Sequence, residues 1–108
     1  MVDDDALHSV DLIAEIGWHT HLAWEQALGE PPQPNWCDLE DGDQEDIIAM
    51  TKWVLENPTA SIAEQHERWR TLMRSPRTPN DVPFDQLPRS QQMKARLWRH
   101  VIHAFLGW

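Results

Sequence analysis

Four features of this sequence could carry chemistry: the histidine pairs His19/His21 and His100/His103, the single cysteine Cys37, the acidic run "DLEDGDQED" from Asp38 to Asp46, and the arginines Arg68, Arg70 and Arg74. Metal binding is what histidine pairs suggest first. His19 and His21 stand two apart on a helix and point to nearly opposite faces, so they cannot share an ion. His100 and His103 are three apart and could face one ion, but two imidazoles without a third ligand make a poor zinc site, and the helix dipole favours histidines near a C-terminus in any case. Cys37 has no cationic neighbour in the sequence to hold a thiolate and is followed by acids, so it does not read as a nucleophile. The acidic run does not fit a calcium loop, which needs glutamate at its twelfth position; counted from Asp38 or Asp41, that position is Ala49 or Lys52. No glycine-rich phosphate loop or Ser-His-Asp spacing is present. The expectation is a non-catalytic protein without a cofactor.

Binding is the remaining chemistry, and the charge distribution frames it. Residues 1–58 hold 14 acidic side chains and one basic, a balance of −13, whereas residues 59–108 hold four acidic and eight basic, a balance of +4, which together give the net −9. Carboxylates in a first helical turn are each stabilised by roughly 0.3–1 kcal/mol through the dipole. That accounts for two or three of Asp38, Glu40, Asp41, Asp43, Glu45 and Asp46. The rest are either a solvated face, as charge runs usually are, or a binding surface, and two functional readings stay open. In one, the chain is a small acidic interaction module that docks this face on a basic surface of a host or phage protein, for example as an inhibitory nucleic-acid mimic. In the other, tryptophans flank a nucleotide-like ligand whose phosphates pair with Arg68, Arg70 or Arg74. Direct DNA binding is disfavoured by the net charge, and the opposite charge of the two halves would allow a homo-oligomer.

These residues must be positioned by helices, because no alternating run of β-branched residues is long enough for a strand. Glycine and proline divide the chain into four helical segments. The first runs from about Asp5 to Leu28 with a stripe of Leu7, Val10, Ala14, Gly17, His21, Trp24 and Leu28, and stops at Gly29. The second, about Asp43 to Glu56, places Ile47, Met50, Trp53 and Val54 on one side and ends before Pro58. The third opens with the capping-box pattern Ser61-Ile-Ala-Glu64 and carries Ile62, His66, Trp69 and Met73. The fourth opens at Pro88 and carries Met93, Leu97, Trp98, Val101, Phe105 and Trp108.

The two halves repeat a spacing. His21 and Trp24 are followed by a proline-bearing loop and then Trp36, Leu39 and Gln44; His66 and Trp69 are followed by a proline-bearing loop and then Phe84, Leu87 and Gln92. From aromatic to leucine is three positions and from leucine to glutamine is five in both copies. This reads as one unit used twice, over residues 5–57 and 59–108. Each histidine is expected to bond to the backbone of its proline loop, His66 near Val82 to Phe84, and Trp24 and Trp69 are expected at equivalent, largely buried positions.

At His66, Trp69, Val82, Pro83, Phe84, Leu87 and Pro88 the second half resembles the ryanodine-receptor repeat (RyR-type) domain, in which a His-x-x-Trp helix precedes a Val-Pro-aromatic-x-x-Leu-Pro segment and a last helix. The resemblance implies the small stand-alone version found in bacteria and their phages. The family's longer loop before Val-Pro is here only "TLMRSPRTPND", so no ligand role of that loop is implied.

The whole therefore reads as an all-α, four-helix single domain spanning residues 1–108. Seven tryptophans make the sequence tryptophan-rich and suggest a tryptophan-built core. The acidic start Met-Val-Asp-Asp-Asp, the single cysteine and the lack of an apolar run of about 18–20 residues point to a cytoplasmic protein off the membrane.

Overall fold

The apolar spacing of the sequence produces four helices in the computed structural model, which describes residues 9–72 and 80–106. They are α1 (Val10–Ala27), α2 (Asp41–Glu56), α3 (Ile62–Leu72) and α4 (Arg89–Ala104), with short 3₁₀ turns at Trp36–Asp38 and Phe84–Gln86. No strand occurs among the described residues.

Each helix stops for a local reason. After α1 the chain turns through Gly29, whose φ of 73° lies where a side chain would be strained. The Glu30 amide then reaches back to the Glu25 carbonyl at 3.0 Å. At the end of α2, Asn57 bonds the Trp53 carbonyl through both its backbone and side-chain amides, each at 2.9 Å, just before Pro58. Ser61 caps α3: its hydroxyl oxygen accepts the Glu64 amide at 3.1 Å and its O–H points to the Glu64 carboxylate at 3.2 Å. Helix α4 begins one residue later than expected, at Arg89, because the Pro88 carbonyl accepts the amides of Gln91 and Gln92 and Pro88 serves as the cap. Helix α2 begins two residues earlier, at Asp41. The start of the first helix at Asp5, together with Leu7, Met73 and Trp108, lies outside the described residues.

Helix α1 packs most extensively on α4 and then on α2, while α2 also bears on α4 and α3. Ile13, Met50, Val54 and Ile102 meet in the centre, with Trp53, Leu55, Trp69, Leu72, Trp98 and Phe105 half-buried around them. The expectation of a tryptophan-built core is thereby corrected. None of the six described tryptophans is fully buried; the interior is aliphatic and the indoles sit at its edges, where two of them find acceptors for their N–H groups. Trp18 donates to the Pro34 carbonyl at 3.0 Å and Trp24 to the Ser90 carbonyl at 3.1 Å. The stripe of α4 is corrected too. Met93 and Leu97 are exposed, while Ile102 and His103 are buried, because the face that meets α1 and α2 runs through Trp98 and Ile102. No described helix is long and apolar enough to cross a membrane.

A candidate ligand cleft between the helices

The two 3₁₀ turns are the local structures that aim the motif residues. In the first, the Gln44 side-chain amide donates to the Trp36 carbonyl at 2.6 Å; in the second, Gln92 donates to the carbonyls of Phe84 at 3.3 Å and Leu87 at 3.1 Å. Leu39 and Leu87 leave these turns with the same backbone angles, φ −69° and ψ 146°. The glutamine five positions after each leucine thus ties the turn to the first coil of the following helix. Phe84 and Leu87 are buried, whereas Trp36 and Leu39 are half-buried.

The histidines diverge. The Nε2–H of His66 donates to the Val82 carbonyl at 2.6 Å, the bond to the proline loop that the sequence suggests, and its ring stacks on Trp69 at a centroid distance of 5.4 Å. His21 makes no such loop bond. Its Nε2 lies 3.1 Å from Glu25 Oε1, its ring stacks on Trp18 at 4.8 Å, and Trp18 makes the loop contact in its place. Burial, with the Lys94 charge adding to it, lowers the His21 pKa to about 4, outweighing the opposite pull of Glu25. Trp24 and Trp69 are both half-buried but not equivalent, since Trp24 reaches across to α4 and Trp69 stays on its own histidine.

Between these elements lies a cleft of about 450 Å³. Trp18 of α1, Trp69 of α3 and Trp98 of α4 line it, and Leu39 and Leu87 bring the two turns to its wall. Gln65, 5% exposed, also lines it, and its Oε1 is buried without a hydrogen-bond partner. Among the described residues, two cations border the space. Lys94 Nζ is 3.1 Å from Glu25 Oε1, and Arg70 places Nε 2.9 Å from Asp81 Oδ1 and Nη1 2.8 Å from Glu67 Oε1. Glu25 Oε2 is buried and has no hydrogen-bond partner.

The sequence-selected residues scatter around this geometry. Of the six acids, Asp38, Glu40, Asp41 and Glu45 are exposed, Asp43 is half-buried and lines the cleft, and Asp46 is buried at 4% exposure, so they do not form one face. Of the three arginines, Arg70 lines the cleft, Arg68 is exposed away from it, and Arg74 lies outside the described residues. Cys37 is free and exposed. His103 is buried while His100 is exposed, and no group of three or more metal-ligating side chains occurs among the described residues. Sequence reasoning missed Lys94, Gln65 and Trp98 as cleft residues, and Glu25 as the partner that holds Lys94. A lysine–glutamate pair 69 positions apart leaves no local signal.

No family model, no curated protein and no solved structure matches the chain. The RyR-type resemblance and the phage origin it implied therefore have no support beyond the residue pattern itself.

Proposed function

We propose that the chain is a non-catalytic ligand-binding domain whose small organic ligand occupies the cleft between its two helical units. The observation that carries this reading is the convergence of three tryptophans from three helices on one space of about 450 Å³, a size in the range of roughly 300–1,000 Å³ that small-molecule sites occupy. Mainly apolar walls with a few placed polar groups are what such sites need to bury a ligand and orient it. Nucleotide-like ligands held by arginines are less well served: Arg70 is already bound to Asp81 and Glu67, and Arg68 is off the cleft. The repeat belongs to the same proposal. Matching turns at Trp36–Leu39 and Phe84–Leu87, each tied by its glutamine, support two copies of one unit with the cleft between them.

The six described indoles supply the test, because Trp24, Trp36 and Trp53 lie outside the cleft. Titrating a panel of small organic ligands and following the indole N–H signals by nuclear magnetic resonance should shift Trp18, Trp69 and Trp98 selectively. A panel that moves none of these three, or moves all six alike, removes the reading.

A second reading rests on the four exposed carboxylates Asp38, Glu40, Asp41 and Glu45, which favour docking on a basic protein surface, a second copy's basic half included. Changing these four to asparagine or glutamine should abolish salt-sensitive partner capture while leaving the fold intact; capture that survives the change sinks this reading.

A further inference from the structure

Resting on the cleft as the binding site, we infer that its ligand is an organic cation, a quaternary or protonated amine. The cations of the cleft wall are already committed. Lys94 is held by Glu25 at 3.1 Å and Arg70 by Asp81 at 2.9 Å and Glu67 at 2.8 Å, so an anionic ligand would have to compete with carboxylates in place. His21 adds no positive charge near neutral pH, because burial and Lys94 hold it unprotonated.

What remains unspent is negative. Asp43 is half-buried on the cleft wall and has no ion pair or hydrogen bond among the described residues. Gln65 Oε1 is a buried acceptor without a donor, and behind Lys94 the Glu25 Oε2 is another. On the cleft lining Arg70 and Lys94 are engaged by Asp81, by Glu67 and by Glu25, the last two from outside the lining, so that Asp43 is the lining carboxylate with no cation of its own among the described residues. Indole faces carry the negative side of the ring quadrupole and attract a desolvated cation, and Trp18, Trp69 and Trp98 present three indoles to the same ligand. A neutral ligand would fill the volume but leave Asp43 desolvated and uncompensated, a loss that a cation turns into attraction. The −13 carried by residues 1–58 adds a long-range field of the same sign.

Choline and neohexyl alcohol, which exchanges the quaternary nitrogen for carbon, separate charge from shape. With the full chain, choline should bind at least roughly tenfold more tightly than the alcohol while shifting the Trp18, Trp69 and Trp98 indole signals. Added salt should weaken choline and leave the alcohol unchanged. Asp43→Asn should bring the two ligands together while the fold stays intact, and Asp43→Glu, which keeps the charge, should keep the preference. Equal affinities for choline and the alcohol, with the cleft indoles still shifting, would overturn the cation and leave the ligand cleft standing. Tighter binding of adenosine monophosphate than of choline at those indoles would replace the cation with an anion. Failure of all three ligands to move the cleft indoles would remove both the cation and the cleft.

Discussion

His66 donates from Nε2 to the Val82 carbonyl at 2.6 Å inside a partly buried contact, so what position 66 requires is a donor. His66→Gln should retain most of the stability because the amide can offer an N–H, whereas His66→Leu leaves the carbonyl unpaired and should cost about 1–3 kcal/mol more. Urea denaturation of the two variants reads the difference, and equal midpoints would mean that the bond contributes nothing. The other motif histidine is governed by titration. In the unfolded chain His21 protonates near 6.5, but in the fold its pKa is lowered to about 4. Between these values the unfolded state binds more protons, so stability is fully present above pH 6.5 and falls as the pH drops toward 4. The loss from pH 7 to 5 should be about 2 kcal/mol. Burial lowers the pKa of His103 as well and acts in the same direction, so the comparison that isolates His21 is with His21→Asn, which should flatten this part of the dependence. An unchanged slope in that variant would remove His21 as its source.

At the scale of elements, Gly17 sets how closely α1 and α4 approach. A Cβ added there would stand 2.6 Å from Trp98 Nε1 and 3.0 Å from Ile102 Cδ1. Alanine in a helix interior gains about 1 kcal/mol over glycine, but overpacking a tight contact costs about 1–3 kcal/mol. Ile102 is fully buried and cannot move aside easily, so Gly17→Ala should be destabilising on balance, and it should displace Trp98 and with it one wall of the cleft. A variant that melts higher than the parent with an unshifted Trp98 indole signal would contradict this packing. The sequence stripe of α1 already contained Ala14 and Gly17. It did not show why Gly17 must be small, because the reason is an indole 81 positions later.

Over the whole molecule, the α1–α4 contact is also closed by charge. Lys94 and Glu25 have side chains only 15% and 12% exposed and meet at 3.1 Å. Removing one partner strands the other in a desolvated place, so Lys94→Met should cost about 3–5 kcal/mol, and adding Glu25→Leu should recover much of it. Thermal melts of the single and double variants decide; additive losses would show that the pair is not coupled. The same pair keeps Lys94 from serving as an anion anchor, which links the stability of the fold to the charge that the cleft prefers. The radius of gyration of 13.7 Å is close to the ~13 Å usual for a folded chain of this length.

Helix number, helix ends and much of the motif geometry were determined by the sequence alone, because they depend on neighbours within about one turn. Gly29 and Pro58 mark where α1 and α2 stop, Ser61 and Glu64 where α3 starts, and the aromatic-x-x-leucine spacing where each 3₁₀ turn forms. The His66–Val82 bond was legible for a related reason: the motif itself brings the loop back onto its helix. Only tertiary structure decided which acids are exposed, since Asp43 and Asp46 differ from Asp41 and Glu45 by the helix face that happens to meet the rest of the protein. Tertiary structure also turned Trp18, Trp69 and Trp98 from an expected core into cleft walls and Trp24 into a cross-helix donor. Indole burial depends on finding a partner for the N–H, and for Trp24 that partner, the Ser90 carbonyl, is 66 positions away.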